Sequence, residues 1–139
     1  MTRVTDREIL VIDDSPAIRL FFRDFLQKLG FSKIHSCENG KTGIKTFEEI
    51  ISSGKVPIVF LDYNLPDMNG FSVLTQLLIK RPDVKVIIET SRERNEEKIK
   101  QVISEGAYDY LSKPIRLENV KEIIDTISKE EEYGDPGSS

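Results

Sequence analysis

The sequence predicts an α/β fold: a doubly wound, five-stranded parallel sheet covered by five helices. Three observations carry that expectation. Short apolar runs such as I-L-V-I and I-V-F-L read as strands buried on both faces. Between them, apolar residues recur at three- and four-residue steps, the mark of amphipathic helices. The junctions are short, and such strict alternation places helices on both sides of a parallel sheet.

The first strand, Glu8–Asp14, ends on two carboxylates, Asp13 and Asp14. Ser15 is placed to cap the following helix and Pro16 to occupy its first turn. Ile18, Phe21, Phe22, Phe25, Leu26 and Leu29 form that helix's inner stripe, read as core packing, and Gly30 closes it. A short second strand, Lys33–Cys37, leads to a helix opened by Asn39-Gly40 and ended by Ser52-Ser53-Gly54. The third strand is Ile58–Leu61, running into Asp62 and a loop of turn-forming residues, Asn64, Pro66, Asp67, Asn69 and Gly70. A helix from about Asn69 to Lys80 follows, and then the fourth strand, Val84–Thr90. Arg92–Glu105 reads as a charged helix with a thin stripe of Ile99, Val102 and Ile103. The fifth strand is Ala107–Ser112, and the last helix runs from about Leu117 to Lys129 with Glu130–Glu132 as a charged extension. Right-handed crossovers and five strands lead to the flavodoxin-like order 2-1-3-4-5.

At 139 residues the chain suits one domain, expected over 1–132, with a flexible tail over 133–139. The net charge of −4 argues against non-specific nucleic-acid binding. No apolar run reaches membrane-spanning length, and the first residues lack a signal-peptide core. The one cysteine, Cys37, permits no internal disulfide, which suits the cytoplasm. Cys37 reads as a small core or partly exposed residue, and His35 as a surface residue of the second strand without a partner for catalysis or metal binding.

In a parallel sheet the carboxyl ends of all strands share one edge. That edge would gather Asp13 and Asp14 after the first strand, Asp62 after the third, Thr90-Ser91 after the fourth and Lys113 after the fifth. Three clustered carboxylates repel one another unless a cation intervenes. An all-oxygen set without Cys or His favours Mg²⁺ or Mn²⁺ over zinc. Lys113 and Thr90 supply a positive charge and a hydroxyl donor suited to a phosphoryl group, and a carboxylate can itself attack phosphorus. Taken singly, each residue has an ordinary reading: a helix cap for the acid pair, a turn former for Asp62, a strand residue for Thr90, a common turn for Lys113-Pro114. Those ordinary readings do not predict the ordered set.

The set resembles the receiver domain of two-component response regulators, of the single-domain, chemotaxis-regulator type. The resemblance rests on Asp13-Asp14, on Asp62 with Leu65-Pro66, Met68 and Gly70, on Thr90-Ser91, and on Tyr110 through Lys113 to Pro114. It spans roughly Glu8 to Lys129. It implies that Asp62 accepts a phosphoryl group from a sensor histidine kinase or phosphotransfer protein, with Mg²⁺ as cofactor. It further implies that Asp14 is a direct metal ligand, that Asp13 acts largely through water, and that Asp62 and the Asn64 carbonyl complete the protein ligands. Lys113 would pair with Asp62 or its phosphate, Thr90 would move toward the phosphate, Tyr110 would change rotamer with it, and the Lys113–Pro114 bond would be cis. Output would pass through the fourth-helix, fifth-strand, fifth-helix face to a downstream protein, with no direct nucleic-acid contact. The chain would be a monomer or weak dimer, whether a complete protein or a receiver from a longer one.

Two positions depart from that pattern. Ser91 stands where Ala or Gly is usual. Glu89 stands where an apolar strand residue is usual, and is expected either to face solvent at the strand end or to pair with a nearby cation. Two rival functions fit the residues less well. An aspartyl-phosphate phosphohydrolase would need a second catalytic acid and a capping insertion. A flavin binder would want a Ser/Thr-rich phosphate loop where Asp13-Asp14-Ser15-Pro16 stands. A receiver that docks without phosphorylation is disfavoured by the intact set.

Overall fold

The computed structural model describes residues 3–91 and 96–133. Its sheet has five strands, β1 (Ile9–Ile12), β2 (Ile34–Cys37), β3 (Ile58–Asp62), β4 (Lys85–Thr90) and β5 (Asp109–Ser112), all parallel in the order β2-β1-β3-β4-β5. The helices are α1 (Pro16–Lys28), α2 (Gly40–Ser52), α3 (Gly70–Lys80), α4 (Glu96–Ser104) and α5 (Leu117–Tyr133). A 3-10 turn at Val4–Asp6, which the sequence pattern does not announce, precedes β1.

The caps form as their residue types dictate. Ser15 Oγ accepts from Ile18 N–H, Asn39 Oδ1 from Thr42 N–H and Asn69 Oδ1 from Ser72 N–H, each supplying an acceptor to a first-turn amide that has none within its helix. Gly30, at φ 108°, ends α1 in a conformation closed to most side chains.

β1, β3 and β4 are covered on both faces, so alternate residues enter two apolar layers. Leu10, Ile12, Val59, Leu61, Val86 and Ile88 pack against α2, α3 and α4. Ile9, Val11, Ile58, Phe60, Ile87 and Leu111 pack against α1 and α5, where the Phe22 and Phe60 ring centroids lie 4.7 Å apart. Each such fully buried side chain contributes about 1.5–3 kcal/mol, so the two layers fix the strands firmly enough to aim the groups at their ends. Of the predicted aromatic stripe, Phe22 is fully buried, while Phe21 and Phe25 stack at its partly exposed margin.

The charged extension Glu130–Glu132 belongs to α5, which runs to Tyr133 and is tied back by Arg7, whose guanidinium pairs with Glu131 and donates to the Val56 carbonyl. The remaining tail residues, 134–139, lie outside the described residues. The fourth helix begins its described course at Glu96, and Arg92 to Asn95 likewise lie outside the described residues. His35 has a partner: its Nε2 lies 3.0 Å from Glu8 Oε1, a contact between β2 and the residue before β1 that no local pattern encodes.

The loop after β3 is closed by two interactions. Gly70 N–H donates to the Tyr63 carbonyl at 2.6 Å, and Asp67 accepts from the Gly40 and Lys41 N–H groups at 2.8 and 2.9 Å. The second ties the loop to the N-terminus of α2, where the helix dipole favours an anion. A Cβ on Gly70 would lie 2.6 Å from Tyr63 Cα, a backbone atom that cannot swing aside. Gly70→Ala is therefore expected to cost about 1–3 kcal/mol in urea unfolding. A loss below about 0.5 kcal/mol, the size of an ordinary surface change, would contradict that packing.

Candidate functional site

The alternation that builds the α1/α5 layer continues past the last apolar residues into a row of acids. β1 runs Ile9, Val11, then Asp13; β3 runs Ile58, Phe60, then Asp62; β4 runs Ile87, then Glu89. Asp62 and Glu89 are register partners, as are Glu89 and Leu111. Residues paired across parallel strands project from the same face, so the row forms one acidic rim on an apolar layer.

Asp13 is fully buried and Asp62 is 2% exposed, whereas Asp14 is exposed. The three carboxylates place one oxygen each within 4.8 Å of one another. Asp13 Oδ1 accepts from Ser15 N–H at 2.8 Å, and Arg19 donates to the Asp13 carbonyl at 2.7 Å, so Asp13 is held by α1. Asp62 Oδ1 accepts from Asn64 N–H at 3.0 Å. Lys113 Nζ reaches Asp62 Oδ2 at 3.2 Å and Asp13 Oδ2 at 3.8 Å. Lys113 N–H still donates to the Thr90 carbonyl, which holds its backbone at the end of β5, and the next peptide bond, Lys113–Pro114, is cis as expected. Thr90, 6% exposed, directs its hydroxyl toward the Leu111 carbonyl at 3.5 Å. Tyr110 is half-buried beside a groove between β5 and α5, and Asn64 and Ser91 are exposed.

Burial raises the Asp62 carboxyl above its ordinary range; the Asn64 N–H works against that, Asp13 adds to it, and Lys113 offsets part of it. Burial works to lower the Lys113 ammonium, but Asp62 and Asp13 outweigh it and hold it above its usual value. Lys113 thus stays charged and supplies one positive charge against three clustered acids, an imbalance a divalent cation would relieve. The donor set is all oxygen and hard, which suits Mg²⁺.

The expectation that Glu89 faces solvent is overturned. It is fully buried. Its carboxyl faces that of Asp13, and neither of its oxygens accepts a hydrogen bond from any described residue. Burial first, then the neighbouring Asp13 and Asp62, push it well above the ordinary glutamate value, while Lys113 pulls weakly the other way. A charged residue closing the apolar run K-V-I-I-E-T was the one available signal, but it does not say which way the strand turns it.

Residues 9–125 match the response regulator receiver domain family, and the chain belongs to it. The chemotaxis protein CheY of Listeria monocytogenes is 29% identical over 122 residues, covering 88% of this chain and 98% of that protein. The Bacillus subtilis chemotaxis protein CheY is 30% identical over 117 residues, covering 84% and 92%. Among solved structures, a receiver domain from Clostridium thermocellum superposes with a TM-score of 0.79 at 24% identity, covering 91% of this chain and 97% of that one. The Borrelia burgdorferi CheX–CheY–BeF3–Mg complex gives 0.79 at 21% identity, covering 87% and 88%. The fold is that of CheY-like receivers, which are phosphoacceptor signalling switches and not enzymes of the ordinary turnover kind. Among the described residues, no helix is long and apolar enough to cross a membrane.

A carboxyl whose folded-state pKa lies above its unfolded value holds its proton more tightly when folded. Its contribution to stability is greatest below the unfolded value and is lost as pH rises through the folded one. Without divalent cation, Glu89→Leu is therefore expected to be more stable than wild type by about 1–3 kcal/mol near neutral pH, since it removes a buried carboxyl without a donor. The advantage should shrink as pH falls toward the ordinary glutamate value of 4.5. Urea unfolding in chelator across that range measures it; a Leu variant less stable than wild type at every pH would contradict the account.

Proposed function

We propose that this receiver accepts a phosphoryl group on Asp62 from the phosphohistidine of a sensor kinase or phosphotransfer protein, with Mg²⁺ held by Asp13, Asp14, Asp62 and the Asn64 carbonyl. The observation that carries the reading is a nearly buried Asp62 carboxylate at the end of the central strand, with Lys113 Nζ at 3.2 Å and two further acids alongside. In the transfer the phosphorus–nitrogen bond breaks as a bond forms from an Asp62 oxygen, and the imidazole leaves. A bound Mg²⁺ would supply positive charge to the transferring oxygens. Asn64 N–H orients one Asp62 oxygen, and Lys113 neutralises charge developing at the other, so the chain's contribution is positioning and electrostatics.

The same groups give a switch. Thr90 makes only a long hydrogen bond to Leu111 and is free to exchange it for a phosphate oxygen, with Tyr110 following into the space beside β5. If the phosphate favours the active arrangement by about 2 kcal/mol, the ratio of states moves roughly thirtyfold. Output is then by protein contact at the α4-β5-α5 face, in the cytoplasm, where such kinases deliver phosphate. The phosphohydrolase reading is not favoured: the fully described connections at this edge, residues 13–15, 38–39, 63–69 and 113–116, are too short to hold a substrate cap.

Asp62→Asn is expected to abolish labelling by acetyl phosphate in Mg²⁺, read by intact-protein mass. A variant that labels to the wild-type extent would sink the assignment. Ser91→Ala, at an exposed site next to Thr90, is expected to change the lifetime of the phosphorylated form, and identical decay would remove Ser91 from the chemistry.

A further inference from the structure

Among the described residues, Glu89 is the one fully buried acid that the proposed transfer does not use. It sits in β4 beside Asp62 and against Asp13, with Ile87 and Ile88 before it and Thr90 after it. An apolar side chain would serve the α1/α5 layer better, because a buried polar group without a partner costs free energy. With both carboxyls ionised, three oxygens at this point lack any hydrogen-bond donor among the described residues, both of Glu89 and Oδ2 of Asp13, and the Glu89–Asp13 contact sets acceptor against acceptor. The nearby cation, Lys113, places its ammonium 3.2 Å from Asp62 and 3.8 Å from Asp13, and donates to neither oxygen of Glu89. The three orphaned oxygens therefore call for something that brings both positive charge and several O–H donors. A hydrated divalent cation brings both, since Mg²⁺ and its analogues keep several waters when bound.

We propose that Glu89 is a fourth carboxylate of the divalent-cation site, standing behind Asp13 and holding the ion through water of its coordination shell. Glu89 is outside the trio whose oxygens lie within 4.8 Å of one another, which favours contact through water over direct ligation. It acts as a positioning residue: it strengthens cation binding and fixes the Asp13 carboxylate without touching the phosphoryl group. The inference rests on the reading of this rim as a divalent-cation site, and it gives a glutamate at a fully buried position a physical role.

The test is Mn²⁺ titration of the full chain, followed by loss of the free-ion EPR signal, for wild type, Asp14→Ala, Glu89→Gln and Glu89→Leu. Loss of a group that orients a ligand typically weakens metal binding by about tenfold to a hundredfold, and that is the loss expected for both Glu89 variants. Glu89→Leu should show it while matching or exceeding the wild type's stability in chelator, a combination that a purely structural role does not produce. Affinity within about twofold of wild type in Glu89→Gln would overturn the proposal, because a neutral acid donating to Asp13 is mimicked by the amide and a charged oxygen ligand is not. Should the Gln variant fail to fold, unchanged affinity in the Leu variant decides against it equally. Failure of the underlying reading looks different: wild type would not bind Mn²⁺, or Asp14→Ala would bind it as tightly.

Discussion

The structure depends on an electrostatic imbalance at the carboxyl edge of its sheet. Asp13, Asp62 and Glu89 are buried side by side, Asp14 lies at the exposed margin, and one lysine, Lys113, reaches into them. In water such a cluster would cost little, but in a partly dry setting each acid raises the cost of ionising the next. The fold accepts that cost because it cannot relax. The acids continue the same pleat that delivers Val11, Phe60 and Ile87 into the α1/α5 layer, so moving them outward would break the register of the central strands.

The chemistry follows from the same constraint. A carboxylate free to turn toward solvent would be a poor nucleophile for a phosphoryl group, since its orientation would have to be fixed in each encounter. Asp62 is held by Asn64 N–H on one oxygen and Lys113 on the other. The loop that carries Asn64 is held in turn by the Gly70–Tyr63 hydrogen bond and by Asp67 at the head of α2. Thr90 contrasts with these groups. Its hydroxyl is buried but engaged only at 3.5 Å, so rearranging it costs little compared with disturbing its neighbours. A rigid acceptor next to a loosely bound hydroxyl is what a two-state switch requires.

Much of this was legible in the sequence because it was written in local pattern. Strands buried on both faces appear as unbroken apolar runs, helices as three- and four-residue recurrences, and caps as Ser15, Asn39 and Asn69 just ahead of them. The site was legible because a parallel sheet brings all strand ends to one edge, which makes Asp13, Asp62, Thr90 and Lys113 neighbours. Glu89 was not legible in the same way. Near a strand end, an acid facing solvent and an acid facing the core have the same local sequence, and only the register with Asp62 and Leu111 decides between them. The Glu8–His35 and Arg7–Glu131 contacts escaped for a similar reason, since each joins residues distant in sequence.

The central claim is that the acidic rim is a divalent-cation site built around Asp62, with Glu89 inside it. Paramagnetic broadening by Mn²⁺ in the amide spectrum of the isotopically labelled protein tests it most directly. The account predicts that trace Mn²⁺ first erases the amides of Asp13, Asp14, Asp62, Tyr63, Glu89 and Thr90, and that excess Mg²⁺ restores them. Broadening centred elsewhere, for instance on the exposed acids Glu96 and Glu97 of α4, with the rim unaffected, would contradict it.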